Sequence, residues 1–438
     1  MSTALVLSLK NDKILSENEI LLGGEWVLEN QDVEKEKLNY KIFQSKSSLK
    51  EVRKKNCIEA DKIYQELCVD LSNELNSLHS INLSLRSWKI IFGSWLKLFV
   101  SICYERNYLI SEILETNEIS KIYGVKNKKF KFYSGGTFEQ RFQAVDHTWN
   151  ANLFYEIINY FDFPIQRDFL NTDEIKNKKN QNIIIKPNLK LNSFKNIFFK
   201  FFNFFKYLKK NNDAVITKTG LSFFNEKFFE VLNFQVPQNY DEKKINYKNF
   251  DEKKISKIKL LHGEEKNIRN FIRKNLNYFL PICFVESFDE IYSDCEKNFP
   301  TKPKFIMTAY AWEYDVNFKF YAAKKVNENT PYFLFQHGNT YFTDDFVFNR
   351  PEYETAKKFF SFGYKKNKIT ESFCNHLTLG KKVSFKKGGN LHIVSPFLPG
   401  RIFSYEQSVE TIESYKNIND LEKKLDFNIK NKILLRLT

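Results

Sequence analysis

The stretch from Lys304 to Gly363 constrains the fold of this chain more than any other part of it. Lys304 to Thr308 is a short apolar run, Glu313 to Val326 has helical character, and Tyr332 to Phe335 is a second apolar run. Asn349-Arg-Pro-Glu352 then opens a helix, with Asn349 as N-cap and Glu352 three residues on, the capping-box spacing. Phe359 to Phe362 supplies another strand before Gly363. Strand, helix, strand, helix, strand in this order predicts a parallel sheet covered by helices, because parallel neighbours need a crossover between them. Ligands of open sheets bind beyond the carboxyl ends of the strands. Thr308-Ala-Tyr310 and Gln336-His337-Gly338 fall at those ends.

The rest of the chain extends this pattern. Residues 19 to 22 read as a first strand, ended by Gly23-Gly24 and followed by Glu25-Trp26 in a loop. Ile63, Leu67, Leu71, Leu75 and Leu78 recur at helical spacing, and so do Leu85, Trp88, Ile91, Trp95 and Phe99 after a break at His79 to Asn82, so two packed helices are expected. Asp213 to Lys218 reads as a strand followed by a Phe-rich helix, where Thr217 and Lys218 could meet an anion. A last unit runs from a strand at His392-Ile-Val394 through a helix to a strand at Ile433 to Leu437. The expected architecture is α/β, with Rossmann-like parallel sheets flanked by helices and a helical N-terminal region. Four spans follow: 1–165, strand plus helices; 166–212, a Lys/Asn/Phe-rich insertion; 213–388, a Rossmann-like region with the Gln-His-Gly loop; and 389–438, the start of a second half that stops early.

A formal charge of +15 over 438 residues would suit a nucleic-acid partner. No RNA- or DNA-binding motif accompanies it, and the abundance of Lys and Phe beside few Gly and Pro fits biased codon use better. No nucleic-acid partner is expected. Cysteines at 57, 68, 103, 283, 295 and 374 are scattered, without metal-ligand spacing, and read as reduced thiols of a cytoplasmic protein. The N-terminus shows no signal-peptide pattern. Ile90 to Cys103, the longest apolar stretch, is too short to span a bilayer and reads as a core helix. Ser193 to Lys210 interleaves Phe with Lys, and could lie peripherally at the inner face of the cytoplasmic membrane or dock on the body as an ordinary helix.

His337 is the leading candidate for a catalytic base, since imidazole titrates near neutrality and can take a proton from a hydroxyl. Gln336 can hydrogen-bond hydroxyls, and Gly338 would let a ligand approach the backbone. Glu352 is explained by helix capping, and Asp344-Asp345 by turn chemistry; no metal is assigned. Asp146, Trp149 and Asn150 combine a carboxylate, an aromatic plate and an amide, which suits carbohydrate recognition, with helix capping by Asp146 as the competing account. Arg86 could clamp a phosphate or carboxylate bidentately, or pair across the helices.

Taken in order, Leu-Gly-Gly-Glu25-Trp26, His79 with Ser84-Leu-Arg86-Ser-Trp88, Gly93-Ser-Trp95, Asp146-His-Thr-Trp149-Asn150, Pro303-Lys304, Gln336-His337-Gly338 and Glu352-Tyr353 resemble transferases encoded in bacterial O-antigen and other surface-polysaccharide gene clusters. The resemblance spans residues 20 to 365. It implies a glycosyltransferase-like, GT-B-type protein that moves a sugar from a nucleotide-sugar donor to a glycan or lipid-linked glycan acceptor, with no cofactor. It further implies His337 as base and Gln336, Gly338, Glu25, Arg86, Asp146, Trp149 and Asn150 as substrate contacts. This chain carries Asn339 and Phe342 where the family has glycines, and its early stop would leave one wall of the cleft missing. A non-catalytic glycan-binding or scaffold protein is the alternative expectation.

Overall fold

Two long helices sit at the centre of the molecule, where their apolar stripes meet core on more than one side. The computed structural model describes residues 2–8, 19–27, 39–172, 208, 210–240, 242–338, 341, 350–365, 368–374, 388–395, 411–426 and 432–437. Helix α1 (Lys50–His79) buries Ile63, Leu67, Leu71 and Leu75, and α2 (Leu85–Thr116) buries Trp88, Ile91, Trp95 and Phe99, as their spacing predicts. The apolar run from Ile90 to Cys103 is thus a core segment of α2, and no described helix is long and apolar enough to cross a membrane. Between the helices the backbone turns through a left-handed Ser80. Asn76 locks the turn: its amide donates to the Leu83 carbonyl at 2.9 Å, and its Oδ1 accepts the Leu83 N–H at 3.0 Å and the Trp88 indole N–H at 2.9 Å. Ser84 caps α2 by accepting the Ser87 N–H at 3.2 Å.

The first sheet contains β1 (Ser2–Val6), β2 (Glu19–Gly23), β3 (Tyr40–Ile42), β4 (Ile119–Lys126) and β5 (Gln166–Asn171). Its order is β3-β2-β1-β4-β5, and all the pairings are parallel. The strand expected first in the sequence is therefore β2; Ser2–Val6 precedes it and takes the middle of the sheet, where Ala4, Leu5 and Val6 are buried. Strand β5 falls in the span expected to be an insertion, yet it pairs with β4. The strand order reverses between β1 and β4, which makes their carboxyl ends a switch point of Rossmann type. Helices α3 (Gln140–Val145) and α4 (His147–Phe161) follow β4.

The second sheet is the one predicted from Lys304 to Gly363, joined at one edge by the strand expected within Asp213 to Lys218 and at the other by a strand that was not expected. It contains β6 (Val215–Ile216), β7 (Ile306–Thr308), β8 (Tyr332–Phe335), β9 (Lys358–Phe362) and β10 (Thr370–Phe373), all parallel, in the order β10-β9-β8-β7-β6. Between β6 and β7 lie α5 (Phe223–Leu232), α6 (Glu252–Ile255), α7 (Ile268–Phe279) and α8 (Phe288–Asp294). The helical stretch after β7 is divided into α9 (Ala311–Tyr314) and α10 (Val316–Asn327), because Asp315 turns out of helix to accept the Phe318 N–H at 3.0 Å and start α10 afresh. Helix α11 (Pro351–Thr355) precedes β9. Its N-cap is Arg350, with no side-chain cap bond, and Asn349, the cap expected from the sequence, lies outside the described residues. The last unit, β11 (Leu391–Ser395), α12 (Thr411–Lys424) and β12 (Ile433–Leu437), is the strand–helix–strand expected, with its strands parallel.

Helix α2 joins the sheets: it packs on α1, α4 and α7 and also on α10 and α11 of the second sheet, so one buried apolar cluster runs through both. The chain after β4 adds a second bridge. Its Ser134-Gly135-Gly136 turn lies under Tyr247, and a Cβ at Gly135 or Gly136 would fall 2.4 Å or 2.5 Å from that side chain, so glycine is required there. Beyond it, Thr137 Oγ1 accepts from Lys319 Nζ of α10 at 2.7 Å, and the Phe138 ring meets Tyr314 at 6.0 Å. Burial holds the Lys319 ammonium down at about 8. These contacts tie the segment after β4 to α9 and α10, which follow β7.

Candidate functional site

Strand β8 delivers the Gln-His-Gly loop. The Gln336 N–H continues the ladder to the Phe360 carbonyl at 2.8 Å, its Oε1 accepts the Phe362 N–H at 2.8 Å, and its Nε2 donates to the Gly338 carbonyl at 2.6 Å. The amide oxygen is thus tied to β9 and the amide nitrogen to the loop, so the side chain bridges the two. A Cβ placed on Gly338 would meet no atom of the described residues within 4 Å.

His337 projects between α9 and α11, its side chain 22% exposed. Rings of Tyr310, Trp312 and Tyr341 surround the imidazole with centroids 5.2–5.7 Å away. Its Nδ1 lies 2.6 Å from the Tyr341 hydroxyl, and that hydroxyl also bonds the buried Glu352 side chain. Burial raises the Tyr341 hydroxyl far above its ordinary range, so it keeps its proton. A carboxylate is the better acceptor, so Tyr341 donates to Glu352 and the Nδ1–H donates to the Tyr341 oxygen. This arrangement leaves the lone pair on Nε2. Burial also lowers the basicity of His337 below the usual 6.5; Glu313 opposes the shift, and Arg350 and Arg141 add to it. The neutral imidazole is thus the form present at pH 7.

Charged groups border Nε2. Glu313 Oε2 lies 3.8 Å from it, too far for a hydrogen bond but close enough to favour an imidazolium once one forms. The same carboxylate pairs with Arg141 of α3, so a side chain carried by the first sheet reaches the site in the second. Arg350 lies over the Tyr341 ring at 4.5 Å and 3.9 Å from Glu352. At the neighbouring strand end, Lys218 Nζ contacts Asp315 at 3.1 Å and Glu242 at 3.9 Å, and sits 4.6 Å over the Tyr314 ring. Its ammonium is raised above its ordinary value: these carboxylates and Tyr314 outweigh the largest effect, burial, which acts the other way.

The other candidate residues are dispersed. Asp146 caps α4, its Oδ1 accepting the Trp149 N–H at 2.6 Å. The ring of Trp149 is 2% exposed and packs edge-on against Phe132 and Phe279, so it offers no face for stacking. Asn150 is fully buried; it donates to the Asp146 and Ala144 carbonyls at 2.7 Å and 2.9 Å and accepts from Arg106 Nε at 2.9 Å. Arg106 in turn pairs with the buried Glu105. Asp146, Trp149 and Asn150 thus form the N-terminal anchor of α4. Glu25 begins a short helical turn after β2, at the carboxyl end of the first sheet. Arg86 donates from Nε to the Thr355 carbonyl at 2.8 Å, at the end of α11. A small cavity there is lined by Lys89, Trp312, Tyr332, Glu352 and Thr355, and the Tyr332 hydroxyl and one Arg86 nitrogen are buried with no hydrogen-bond partner among the described residues. Asp344, Asp345, Asn339, Phe342 and the stretch 193–207 lie outside the described residues.

Sequence reasoning explained Glu352 as a helix cap and did not select Glu313, Arg141, Arg350 or Tyr341. Glu352 instead bonds Tyr341, a pairing made across the loop that no local spacing announces. For Glu313 the available signal was position, since it follows the carboxyl end of β7 where ligands of such sheets bind.

The model of the LIC12162 family transferase matches residues 3–438. No curated protein and no solved structure gives a match.

Proposed function

The chain belongs to the LIC12162 family of transferases, and on that footing we propose that it transfers a sugar from a nucleotide-activated donor to a hydroxyl of a glycan or lipid-linked glycan in surface-polysaccharide assembly. The observation that carries the proposal is the Glu352–Tyr341–His337 chain, a base held in one tautomer by a buried carboxylate through a tyrosine hydroxyl. His337 Nε2 takes the proton of the acceptor hydroxyl as its oxygen attacks the anomeric carbon. The bond from that carbon to the diphosphate breaks, and the nucleoside diphosphate departs with the electron pair. A single displacement of this kind inverts the anomeric centre and calls on no metal. Glu313 favours the imidazolium formed, while Arg141 and Lys218 are the cations positioned to favour the departing phosphate. In a GT-B-like reading, donor and acceptor meet between the carboxyl edges of the two sheets, a reading supported by the Arg141–Glu313 bridge. Gln336 then acts by fixing the loop, and Gly338 by adding no side chain beside it.

Thermal denaturation with a panel of nucleotide sugars tests the donor class. A donor at 100 times its Kd stabilises the native state by about 2.7 kcal/mol and must raise Tm. If no nucleotide sugar moves Tm while an isolated glycan does, the protein is a glycan-binding scaffold and the transferase chemistry proposed here is wrong.

The pH profile gives an independent check. His337 must be neutral to act, and burial keeps its folded pKa below 6.5, so kcat/KM is expected to be level around neutrality and to fall on acidification only once pH passes below that value. A profile that instead declines from pH 8 downward would require a base other than this imidazole.

A further inference from the structure

We propose that α5 and the turn after it dock this protein on an anionic lipid bilayer. The helix is inverted relative to its surroundings. Two of its three charged residues, Lys227 and Glu230, face the protein, at 5% and 0% exposure, and the third, Glu226, accepts from the Thr219 N–H and hydroxyl at 3.0 Å and 2.8 Å. Lys227 Nζ donates to Glu230 Oε1 at 2.5 Å and to the Gln238 carbonyl, and the Gln238 N–H donates to Glu230 Oε2 at 2.6 Å. Phe229 adds an apolar anchor against the small core of Ala214, Ile216 and Met307 on that side of the second sheet. The outer side carries Phe228, Val231 and Leu232, 50–62% exposed and spaced as one helical stripe, and the stripe ends at Phe234, 91% exposed. Phe234 holds φ at +57°, a left-handed conformation that bulky residues rarely adopt, and it turns outward there. Burying a charge pair while offering four large apolar side chains to water opposes the ordinary partition of residues. The arrangement is reasonable if the outer face meets an apolar phase.

Charge selects the occupant. Lys210, Lys302 and Lys304 are exposed around the end of the stripe: Lys304 Nζ donates to the Asn233 carbonyl at 3.4 Å, next to Phe234, and the Lys302 N–H donates to the Asn211 carbonyl at 2.9 Å, next to Lys210. Apolar side chains rimmed by lysines match the acyl boundary and the head groups of an anionic leaflet. A second copy would bring the same lysines against themselves, on a chain of net charge +15. The inference is independent of the transfer chemistry above.

Co-sedimentation of the full chain with vesicles tests it, using phosphatidylcholine mixed with phosphatidylglycerol and phosphatidylcholine alone. Wild type is expected on the mixed vesicles, less so as salt rises. The double variant Phe228→Ser, Phe234→Ser is expected to bind about tenfold more weakly, with an unchanged circular dichroism spectrum because both side chains are exposed; Lys302→Gln with Lys304→Gln should weaken binding to the mixed vesicles alone. Wild type that ignores mixed vesicles, or a Phe double variant that binds them as well as wild type, overturns the proposal. A wild-type dimer in sedimentation equilibrium that the Phe double variant dissociates, without vesicle binding, assigns the face to a second copy instead.

Discussion

His337→Ala is expected to lower kcat for sugar transfer by about 10²–10⁴-fold, the usual contribution of a positioned general base. The donor should still raise Tm as it does for wild type, because the imidazole acts on the acceptor hydroxyl and the loop is held by Gln336 rather than by His337. Tyr341→Phe provides the companion measurement. It leaves Nδ1–H without its acceptor and the buried Glu352 without the hydroxyl it bonds, so the ring is free to present the wrong nitrogen. The expected loss in kcat is roughly a hundredfold, the cost of a reacting group misplaced by about an ångström. Transfer by His337→Ala at the wild-type rate would remove His337 from the chemistry. Loss of activity together with loss of the donor-induced Tm shift would make it a binding residue instead.

The second large effect is on stability. Arg106→Leu strands the Glu105 carboxylate and the Asn150 Oδ1 in the core, since Arg106 is 1% exposed and pairs with both. Breaking a buried ion pair by removing one partner costs about 3–5 kcal/mol. Urea denaturation should therefore show a midpoint shifted far down at unchanged slope. Asn150→Ala is expected to cost less, about 1–3 kcal/mol for the donors and acceptors it leaves unmet. The folded fraction of that variant should keep the wild-type KM. If Asn150→Ala leaves the urea midpoint in place and raises KM, Asn150 touches substrate and its partners in the α4 anchor are incidental.

Much of the scaffold was legible in local spacing. The stripes on α1 and α2 follow from a period of 3.6 that each helix carries in itself, the strand at Tyr332–Phe335 from a short apolar run, and the parallel pairing of its neighbours from the helices that separate them in the chain. Strand β1 was missed because a central parallel strand buried on both faces shows no alternation, and Ala-Leu-Val is too short a run to announce itself. The membership of β5 in the first sheet was hidden by the polar residues around it, and β5 is held in place by pairing with β4.

The sequence by itself determined where His337 stands, because the end of a parallel strand is a place defined by the strand and the residues just beyond it. Tertiary structure alone decided what His337 can do. Tyr341, Glu352, Glu313 and Arg141 reach it from a loop, two helices and the other sheet, and the direction of the Nδ1 proton depends on their combined hydrogen bonds and burial. The same division removed Trp149 and Asn150 from a surface role: their residue types suit sugars, but the packing of α4 against α2 and α3 turned them inward. Hydrogen-bond partnership and desolvation are properties of the assembled neighbourhood, and neither is written in the spacing of residues along a chain.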